Sequence, residues 1–200
     1  MTLQQNSLKK KPEHSMIKST TIVGLSGSLR KASSNTKLLK YTEKKIKLIN
    51  EGIHFSFGNI DLPLYNDDLE KERGMPATVV KLGDILSQAS GIIISTPEYN
   101  KSISGALKNC FDWMSRFKPN PFTSKTIAIV SATDGRSGGE RCQYMLRMCL
   151  TPFDCNILQT PEVLIGHSSK AFNEVGDLTD VKSNELLDKL LEKLVAQASI

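Results

Sequence analysis

The sequence predicts an α/β domain built as a doubly wound parallel sheet with helices on both faces. Short apolar runs rich in β-branched residues, such as "TTIVGLS" (20–26) and "GIIISTP" (91–97), alternate with segments whose apolar residues recur at helical spacing. Five such strand–helix units fit into the 200 residues of the chain, and this alternation is typical of a parallel sheet. Neither an internal repeat nor a linker rich in proline and glycine divides the sequence, so we expect one folded domain.

The first half of the chain begins with the buried strand at 20–26. An apolar stripe at helical spacing predicts a helix over 35–50. The stripe consists of Leu38, Leu39, Thr42, Ile46 and Ile49. The segment "IHFSFG" (53–58) alternates in the manner of a strand. We expect 61–76 to be a loop, because it holds two prolines and many charged groups.

The second half continues the alternation with a helix over 77–90 and the strand at 91–97, which is apolar enough to be buried on both faces. The later elements are a helix near 104–117, a strand at 125–132, a helix near 138–151, a last strand within 156–165 and a final leucine-rich helix. The 104–117 helix has an apolar arc that is wide for a helix lying on a sheet. This favours either contact of Trp113 or Phe117 with a second subunit or deeper burial within one chain.

Composition excludes several classes of protein. The chain carries 39% hydrophobic and 24% charged residues with a formal net charge of +5, which is usual for a water-soluble globular protein. It lacks the run of roughly 20 apolar residues that a transmembrane helix needs, and its start does not resemble a signal peptide. We therefore expect a cytoplasmic protein without membrane contact.

Cysteines, charge clusters and the N-terminus each support a further expectation. Four cysteines show no CxxC or metal-ligand spacing and are predicted to be buried thiols in a reducing compartment. The basic clusters at 9–11 and 40–47 have Tyr41 as their only interleaved aromatic residue, so we interpret them as solvated surface rather than as a nucleic-acid site. Residues 1–18 have few core-forming side chains and are predicted to form a disordered tail, with the folded domain spanning 19–200.

The loop after the first strand, "SGSLRKASSN" (26–35), is crowded with groups that bind anions. In a doubly wound sheet, ligands bind at the carboxyl ends of the strands, so this loop has the prime position. Hydroxyl, amide and guanidinium groups come from Ser28, Arg30, Ser33, Ser34 and Asn35, and the N-terminus of the next helix points at the same place. This set favours a phosphate monoester over a diphosphate or triphosphate. The alternative is a polar loop in which Ser34 only caps the helix.

The loop after the third strand contributes Pro97, Glu98, Tyr99 and Asn100. A tyrosine at the tip of a strand offers a flat apolar face to a ring system. Backbone amides of a loop stiffened by Pro97 would hydrogen-bond the polar edge of that ring. The alternative is a surface turn in which Tyr99 packs against its own loop.

The loop after the fourth strand, 131–143, is rich in glycine. Gly135, Gly138 and Gly139 permit the backbone to pass close to a flat ligand, and Ser131 and Thr133 add hydrogen-bond donors. Glycine-rich loops are common in proteins without ligands, so this loop alone is weak evidence for a ligand site. Its predicted position beside the other two loops makes the evidence stronger.

Four segments, "GSLRKASSN", "PEYNKSISGALKNCFDW", "GRSGGERCQYMLR" and "DLTD", resemble the NADPH-dependent FMN reductase family, which includes quinone, azo-dye and chromate reductases. The likeness extends over nearly the whole predicted domain. It implies a flavodoxin-like sheet of five parallel strands in the order 2-1-3-4-5. It also implies non-covalently bound FMN and self-association as a homodimer or as a tetramer built from dimers.

The resemblance implies roles for individual residues. Ser28, Arg30, Ser33, Ser34 and Asn35 would hold the FMN phosphate, and Pro97, Glu98, Tyr99 and Asn100 would line the isoalloxazine ring. The expected residues on the other side of the ring are Ser131, Thr133, Asp134 and Gly135. Two positions depart from the family, because Ser104 and Asp134 stand where prolines are common. We expect Ser104 to loosen the start of the next helix, and a flavin-facing Asp134 to lower the reduction potential.

In the function that this resemblance implies, NADPH or NADH reduces bound FMN, which then reduces a quinone, free flavin or a similar small electron acceptor. Both reactants would use one place in turn, which predicts ping-pong kinetics. No side chain is predicted to act as a general acid or base, and no metal is expected. Two alternatives stay open: a flavodoxin-like electron carrier and a flavin-binding regulatory module, neither of which turns over NAD(P)H directly.

Overall fold

A computed structural model of the protein describes residues 20–199. The predicted tail, residues 1–18, lies outside the described residues. Among the residues that are described, no helix combines the length and the apolar character needed to cross a bilayer.

The strands of the described part of the chain form a single sheet in which every strand pairing is parallel. Its members are β1 (Thr21–Ser26), β2 (His54–Gly58), β3 (Gly91–Thr96), β4 (Thr126–Ala132), β5 (Asn156–Ile157) and β6 (Val163–Ile165). The sheet order is β2-β1-β3-β4-β5, with β6 also paired to β4. The predicted strand order is therefore confirmed, and one additional short strand is present.

The extra strand arises because the predicted fifth strand is interrupted. β5 pairs with Thr126 and Ile127 of β4, whereas β6 pairs with β4 from Val130 onward. Between them lies Pro161, which has no N–H group to donate to the ladder. The edge beside β4 is consequently shared by two short strands instead of one continuous strand.

Within residues 20–199, six helices connect and cover the strands. They are α1 (Ser34–Ile49), α2 (Asp67–Arg73), α3 (Ala77–Gln88), α4 (Gly105–Met114), α5 (Glu140–Leu150) and α6 (Val181–Ala198), and a 3₁₀ turn (Thr151–Phe153) follows α5. α1 and α6 pack on one face of the sheet, and α3, α4 and α5 pack on the other. Alternating residues of β3 serve the two layers, since Ile93 faces α1 and α6 while Ile92 and Ile94 face the opposite core.

The segment 61–76 was expected to be a loop, and this prediction is wrong because it contains α2. The Asn66 side chain caps the helix by accepting hydrogen bonds from the N–H groups of Asp68 and Leu69. Acidic residues occupy the first turn of α2 and basic residues the last, which suits the helix dipole. None of its residues is buried, so the helix has no apolar periodicity by which the sequence would indicate it.

The wide apolar arc of α4 is covered by the chain itself. Trp113 is 2% exposed, and its indole N–H donates to the carbonyl of Pro63 at 2.7 Å. The ring of Tyr65 meets the indole edge to face, with 4.9 Å between the ring centroids. The Asn109 side chain holds the same segment through its backbone groups at 62, 63 and 65. Of the two explanations considered for Trp113, the structure favours deeper burial within one chain.

The four thiols are free. The prediction that all are buried is confirmed for Cys110 and Cys142 and is wrong for Cys149 and Cys155, which are half-buried. Burial raises the pKa of the Cys110 and Cys142 thiols to about 12, and the neighbouring Glu98 carboxylate adds to the effect at Cys142. Burial also raises the pKa of Cys149 and Cys155. We expect the native protein to resist iodoacetamide at pH 8, because the thiolate is the reactive form. Mass spectrometry before and after denaturation will measure this, and rapid native labelling of Cys110 or Cys142 would contradict it.

Candidate functional site

A cleft of about 360 Å³ lies at the carboxyl ends of β1, β3 and β4. The order of strands along the sheet reverses between β1 and β3, and this switch point is where ligands of doubly wound sheets bind. The residues that line the cleft are Ser28, Arg30, Ala32, Ser33, Ser34, Asn35, Lys37, Pro97, Glu98, Tyr99, Ala132, Thr133, Asp134, Ser168 and Ser169. Most residues predicted for the site thus meet in one cleft.

The β1–α1 side of the cleft has the properties of an anion site. Ser33 is the N-cap of α1 and accepts a hydrogen bond from the Thr36 N–H at 3.2 Å, so Ser33 rather than Ser34 has the capping role. The N–H groups of Ser34 and Asn35 lie in the first turn, where a helix offers them no acceptor. The exposed cations Arg30 and Lys37 line the same side. Free N–H donors, a helix dipole and two cations together suit a phosphate group.

The Asn35 side chain differs from its predicted role as a phosphate ligand. It is 3% exposed, and its amide nitrogen donates to the carbonyl of Ala132 at 2.9 Å. The amide oxygen accepts from the Ala132 N–H at 3.1 Å and from the Ser95 hydroxyl at 2.9 Å. The side chain is therefore engaged within the sheet, and the backbone N–H is the part of Asn35 that suits an anion.

The β3–α4 loop presents Tyr99 to the cleft. The backbone of Tyr99 exchanges two hydrogen bonds with Ser102, of 2.9 and 3.0 Å, and this tight turn leaves the Tyr99 side chain 45% exposed. Asn100 lies at the corner of the turn with φ 51°, exposed and beyond the lining of the cleft. Glu98 turns toward the start of α5, where its carboxylate accepts from the Cys142 N–H at 3.4 Å.

Ser104 does not loosen the start of α4, and that expectation is wrong. Its hydroxyl accepts from the Leu107 N–H at 3.2 Å and so caps the helix. The same hydroxyl donates to the carbonyl of Gly27 at 2.5 Å. Gly27 in turn donates to the Ser95 carbonyl at 2.7 Å. Ser104 therefore ties the β3–α4 loop to the β1–α1 loop, a link that proline would not provide.

The β4–α5 loop packs against the backbone of β6. Ser131 is fully buried beneath it, where its hydroxyl donates to the Gly138 carbonyl at 2.6 Å and accepts from the Gln143 amide at 2.9 Å. Gly138 has φ +64°, and a Cβ at this position would lie 2.6 Å from the backbone of Leu164. The structure thus brings Thr133 and Asp134 to the cleft, while Ser131 supports the loop from below and Gly135 lies on its exposed outer part.

Ser168 and Ser169 complete one wall of the cleft, and they are not among the residues predicted from the sequence. Both follow β6, so they reach the same edge of the sheet as the three predicted loops. The Asp134 carboxylate accepts from the Ser169 N–H at 2.7 Å and from the Ser168 hydroxyl at 3.2 Å. The available signal is "GHSSK" directly after a parallel strand, but the sequence locates this strand only within 156–165.

The hydrogen bonds from Ser169, with a smaller effect of the nearby Arg30 charge, lower the pKa of Asp134 from its ordinary 3.8. A carboxyl whose pKa is lower in the folded state stabilises the fold above its unfolded pKa and loses this contribution as the pH falls through its folded pKa. We expect Asp134→Asn to lower the unfolding midpoint at pH 7 and to lose this effect progressively below pH 3.8. Thermal unfolding of both proteins across that range measures it, and a pH-independent difference would contradict the assignment.

Fold and cleft together define a doubly wound α/β protein with an anion site at the switch point, and the comparisons with known proteins specify the class further. Residues 20–170 match the family described as NADPH-dependent FMN reductase. An NAD(P)H-dependent FMN reductase of Pseudomonas aeruginosa is 38% identical over 174 residues, which is 86% of this chain and 92% of the relative. A quinone reductase of Escherichia coli is 38% identical over 176 residues, with 88% and 92% covered.

A solved structure agrees with these relatives. The flavoenzyme NAD(P)H:(acceptor) oxidoreductase FerB of Paracoccus denitrificans superimposes with a TM-score of 0.79 at 31% identity, covering 90% of this chain and 97% of that one. The chain belongs to the NADPH-dependent FMN reductase family. The family indicated by the sequence motifs is thereby confirmed, and with it the flavodoxin-like fold and the class of enzyme.

Proposed function

We propose that this protein holds FMN non-covalently in the cleft and uses NADPH or NADH to reduce quinones, free flavin or similar small electron acceptors. The observation that carries the proposal is the anion site at the start of α1, placed beside two further loops at the ends of β3 and β4. Membership of the FMN reductase family supports the same cofactor and the same reductants. When bound, FMN would accept hydride from NAD(P)H and pass the electrons to the acceptor.

The groups present at the β1–α1 side fit a phosphate monoester. Ser28, Ser33 and Ser34 offer hydroxyl groups, Arg30 offers a guanidinium, and Asn35 offers its backbone N–H. Residues 28–37 carry no carboxylate, so this loop itself offers a phosphate only hydrogen-bond donors and cations. The carboxylate of the lining that does interact with Arg30 is that of Asp134, on the β4 side of the cleft. We propose that these residues hold the FMN phosphate, with Lys37 as an additional cation.

The opposite side of the cleft fits a flat ring. Pro97 and Tyr99 supply apolar surface, while Thr133 supplies a donor on the other flank. The cleft is bordered by open solvent at Tyr99, which suits an enzyme whose two reactants must enter and leave in turn. We assign no side chain to proton transfer. The two carboxylates that line the cleft, Glu98 and Asp134, already accept hydrogen bonds from backbone N–H groups of the protein.

We also propose that the protein self-associates as a dimer or a tetramer, acts in the cytoplasm and has no nucleic-acid partner. Support for self-association comes from α5, where Tyr144 and Met148 are 50% and 67% exposed. Exposed large apolar side chains on one helix are typical of an interface between proteins. Sedimentation velocity measures the association, and a monomer at micromolar concentration would contradict it.

Steady-state kinetics with NADPH and a soluble quinone test the proposed function. We expect NADPH oxidation that depends on the quinone, with parallel lines in double-reciprocal plots at several quinone concentrations. Parallel lines follow because one reactant must leave the shared site before the other binds. Intersecting lines would contradict the shared site, and no quinone-dependent oxidation by FMN-loaded protein would contradict the proposed activity itself.

A further inference from the structure

We propose that the Asn35 side chain has a positioning role: it holds the three loops of the cofactor site in fixed relative positions and does not itself contact the cofactor. The inference rests on the proposed function, because the site it positions is the proposed FMN site. It begins from the side-chain amide, which is buried and makes three hydrogen bonds to two strands.

The Asn35 amide takes the place of a missing strand residue. The β3–β4 ladder ends with the pair Thr96 and Ser131, and the next residue of β3 is Pro97, which has no N–H group. The neighbouring N–H of Thr133 donates across to Ile165 of β6. Successive residues of a strand direct their backbone groups to opposite edges. The N–H and C=O of Ala132 therefore point toward the β3 edge of β4, at a position beyond the end of β3.

Both backbone groups of Ala132 are satisfied by the one amide, at 2.9 Å and 3.1 Å. A buried peptide group without partners is costly, and few side chains offer a donor and an acceptor in the arrangement of a peptide. The third hydrogen bond, from the Ser95 hydroxyl, fixes the amide to β3 as well. Asn35 therefore joins the start of α1 to the last residues of two neighbouring strands.

The residues next to these hydrogen bonds are those that line the cleft. Ser33 and Ser34 precede Asn35, Pro97 follows Ser95 by two residues, and Thr133 follows Ala132. One buried amide thus fixes the relative positions of three loops: the β1–α1 loop proposed to bind the phosphate, and the β3–α4 and β4–α5 loops proposed to flank the ring. Its loss would permit the three loops to move independently, so binding of the ring and of the phosphate would both weaken.

A matched control separates positioning from general stability. Asn109 is 7% exposed and also makes three hydrogen bonds to backbone groups, but it serves the segment at 62–65, away from the cleft. Asn35→Ala and Asn109→Ala therefore remove the same side chain and the same number of hydrogen bonds. We expect similar decreases in the unfolding midpoint, measured by circular dichroism, for the two variants.

Flavin binding to the apoproteins, followed by quenching of flavin fluorescence below both unfolding transitions, gives the decisive comparison. We expect Asn35→Ala to weaken both FMN and riboflavin at least tenfold, while Asn109→Ala leaves both affinities within twofold of the wild type. Ser95→Ala removes one hydrogen bond of the three and should give a smaller loss of the same kind, which keeps the test available if Asn35→Ala does not fold.

Three outcomes would overturn the inference. Equal affinities of Asn35→Ala and Asn109→Ala would leave Asn35 a purely structural residue. Loss of FMN affinity with unchanged riboflavin affinity would restrict Asn35 to the phosphate loop. Unchanged flavin affinity of both Asn35→Ala and Ser95→Ala would exclude the link to β3. If the wild-type apoprotein binds neither flavin, the proposed function fails as well, so the two failures are distinguishable.

Discussion

Replacing Arg30 with alanine is expected to weaken FMN binding roughly tenfold or more and to leave riboflavin binding unchanged. Riboflavin lacks the phosphate, so only FMN can lose the contact with the guanidinium. A hydrogen bond to a charged group contributes about 1.5–3 kcal/mol, and about 1.4 kcal/mol corresponds to a factor of ten in affinity. Arg30 is exposed, and solvent screening places its effect at the lower end of this range. Fluorescence titration of the apoprotein with each flavin measures the effect.

Lys31 is the matched control for Arg30. It is the next residue, exposed and equally charged, but it does not belong to the lining of the cleft as described. Lys31→Ala should leave FMN affinity close to the wild-type value at moderate salt, since charges separated from a ligand by solvent are largely screened. Equal losses for both variants would indicate a general charge effect. An equal loss of riboflavin and FMN affinity in Arg30→Ala would contradict the phosphate assignment.

Replacing Trp113 with alanine is expected to lower the free energy of unfolding by about 3–5 kcal/mol, the range typical of large aromatic side chains removed from a core. The indole is 2% exposed, packs edge to face on Tyr65 and donates a hydrogen bond to the Pro63 carbonyl. Its removal therefore leaves a cavity and frees the segment that covers α4. Urea denaturation measures the loss. Unfolding is followed by circular dichroism rather than by tryptophan fluorescence, because the variant lacks the only tryptophan of the chain.

Trp113→Phe tests the hydrogen bond separately from the packing. The phenyl ring retains much of the apolar contact, and the Asn109 amide still donates to the Pro63 carbonyl at 2.9 Å. We expect a loss of about 1 kcal/mol or somewhat more from the missing indole donor and the reduced ring volume. A decrease in the free energy of unfolding below 1 kcal/mol for Trp113→Ala would contradict burial of Trp113 within one chain. It would favour the alternative, contact of Trp113 with a second subunit.

The hydrophobic periodicity of the sequence predicted most of the fold. The apolar runs of β1, β3 and β4 and the stripes of α1 and α6 are recognisable because burial on one or both faces imposes their periodicity. α2 has no buried residue and is maintained by its Asn66 cap and by the Arg116–Glu70 ion pair of 2.8 Å. Capping and surface ion pairs leave little periodic signal, so this helix was missed.

The candidate site was predictable only as far as loop positions determine it. Polar loops after β1, β3 and β4 must meet at one edge of a parallel sheet, and most of the predicted residues do line one cleft. The direction of each side chain depends on backbone detail that spacing does not encode. The Asn35 side chain bonds the backbone of Ala132 within the sheet, and the Ser131 hydroxyl bonds the carbonyl of Gly138 in the loop above it.

The most direct test is the visible spectrum of FMN-loaded protein, freed of excess cofactor, before and after anaerobic addition of NADPH. We predict a bound flavin absorbance that bleaches within seconds without any partner reductase, and that returns when a quinone is added. Bound flavin that stays oxidised would contradict direct use of NADPH and would favour an electron carrier or a flavin-binding regulator. Protein that retains no flavin would contradict the assignment of the cleft.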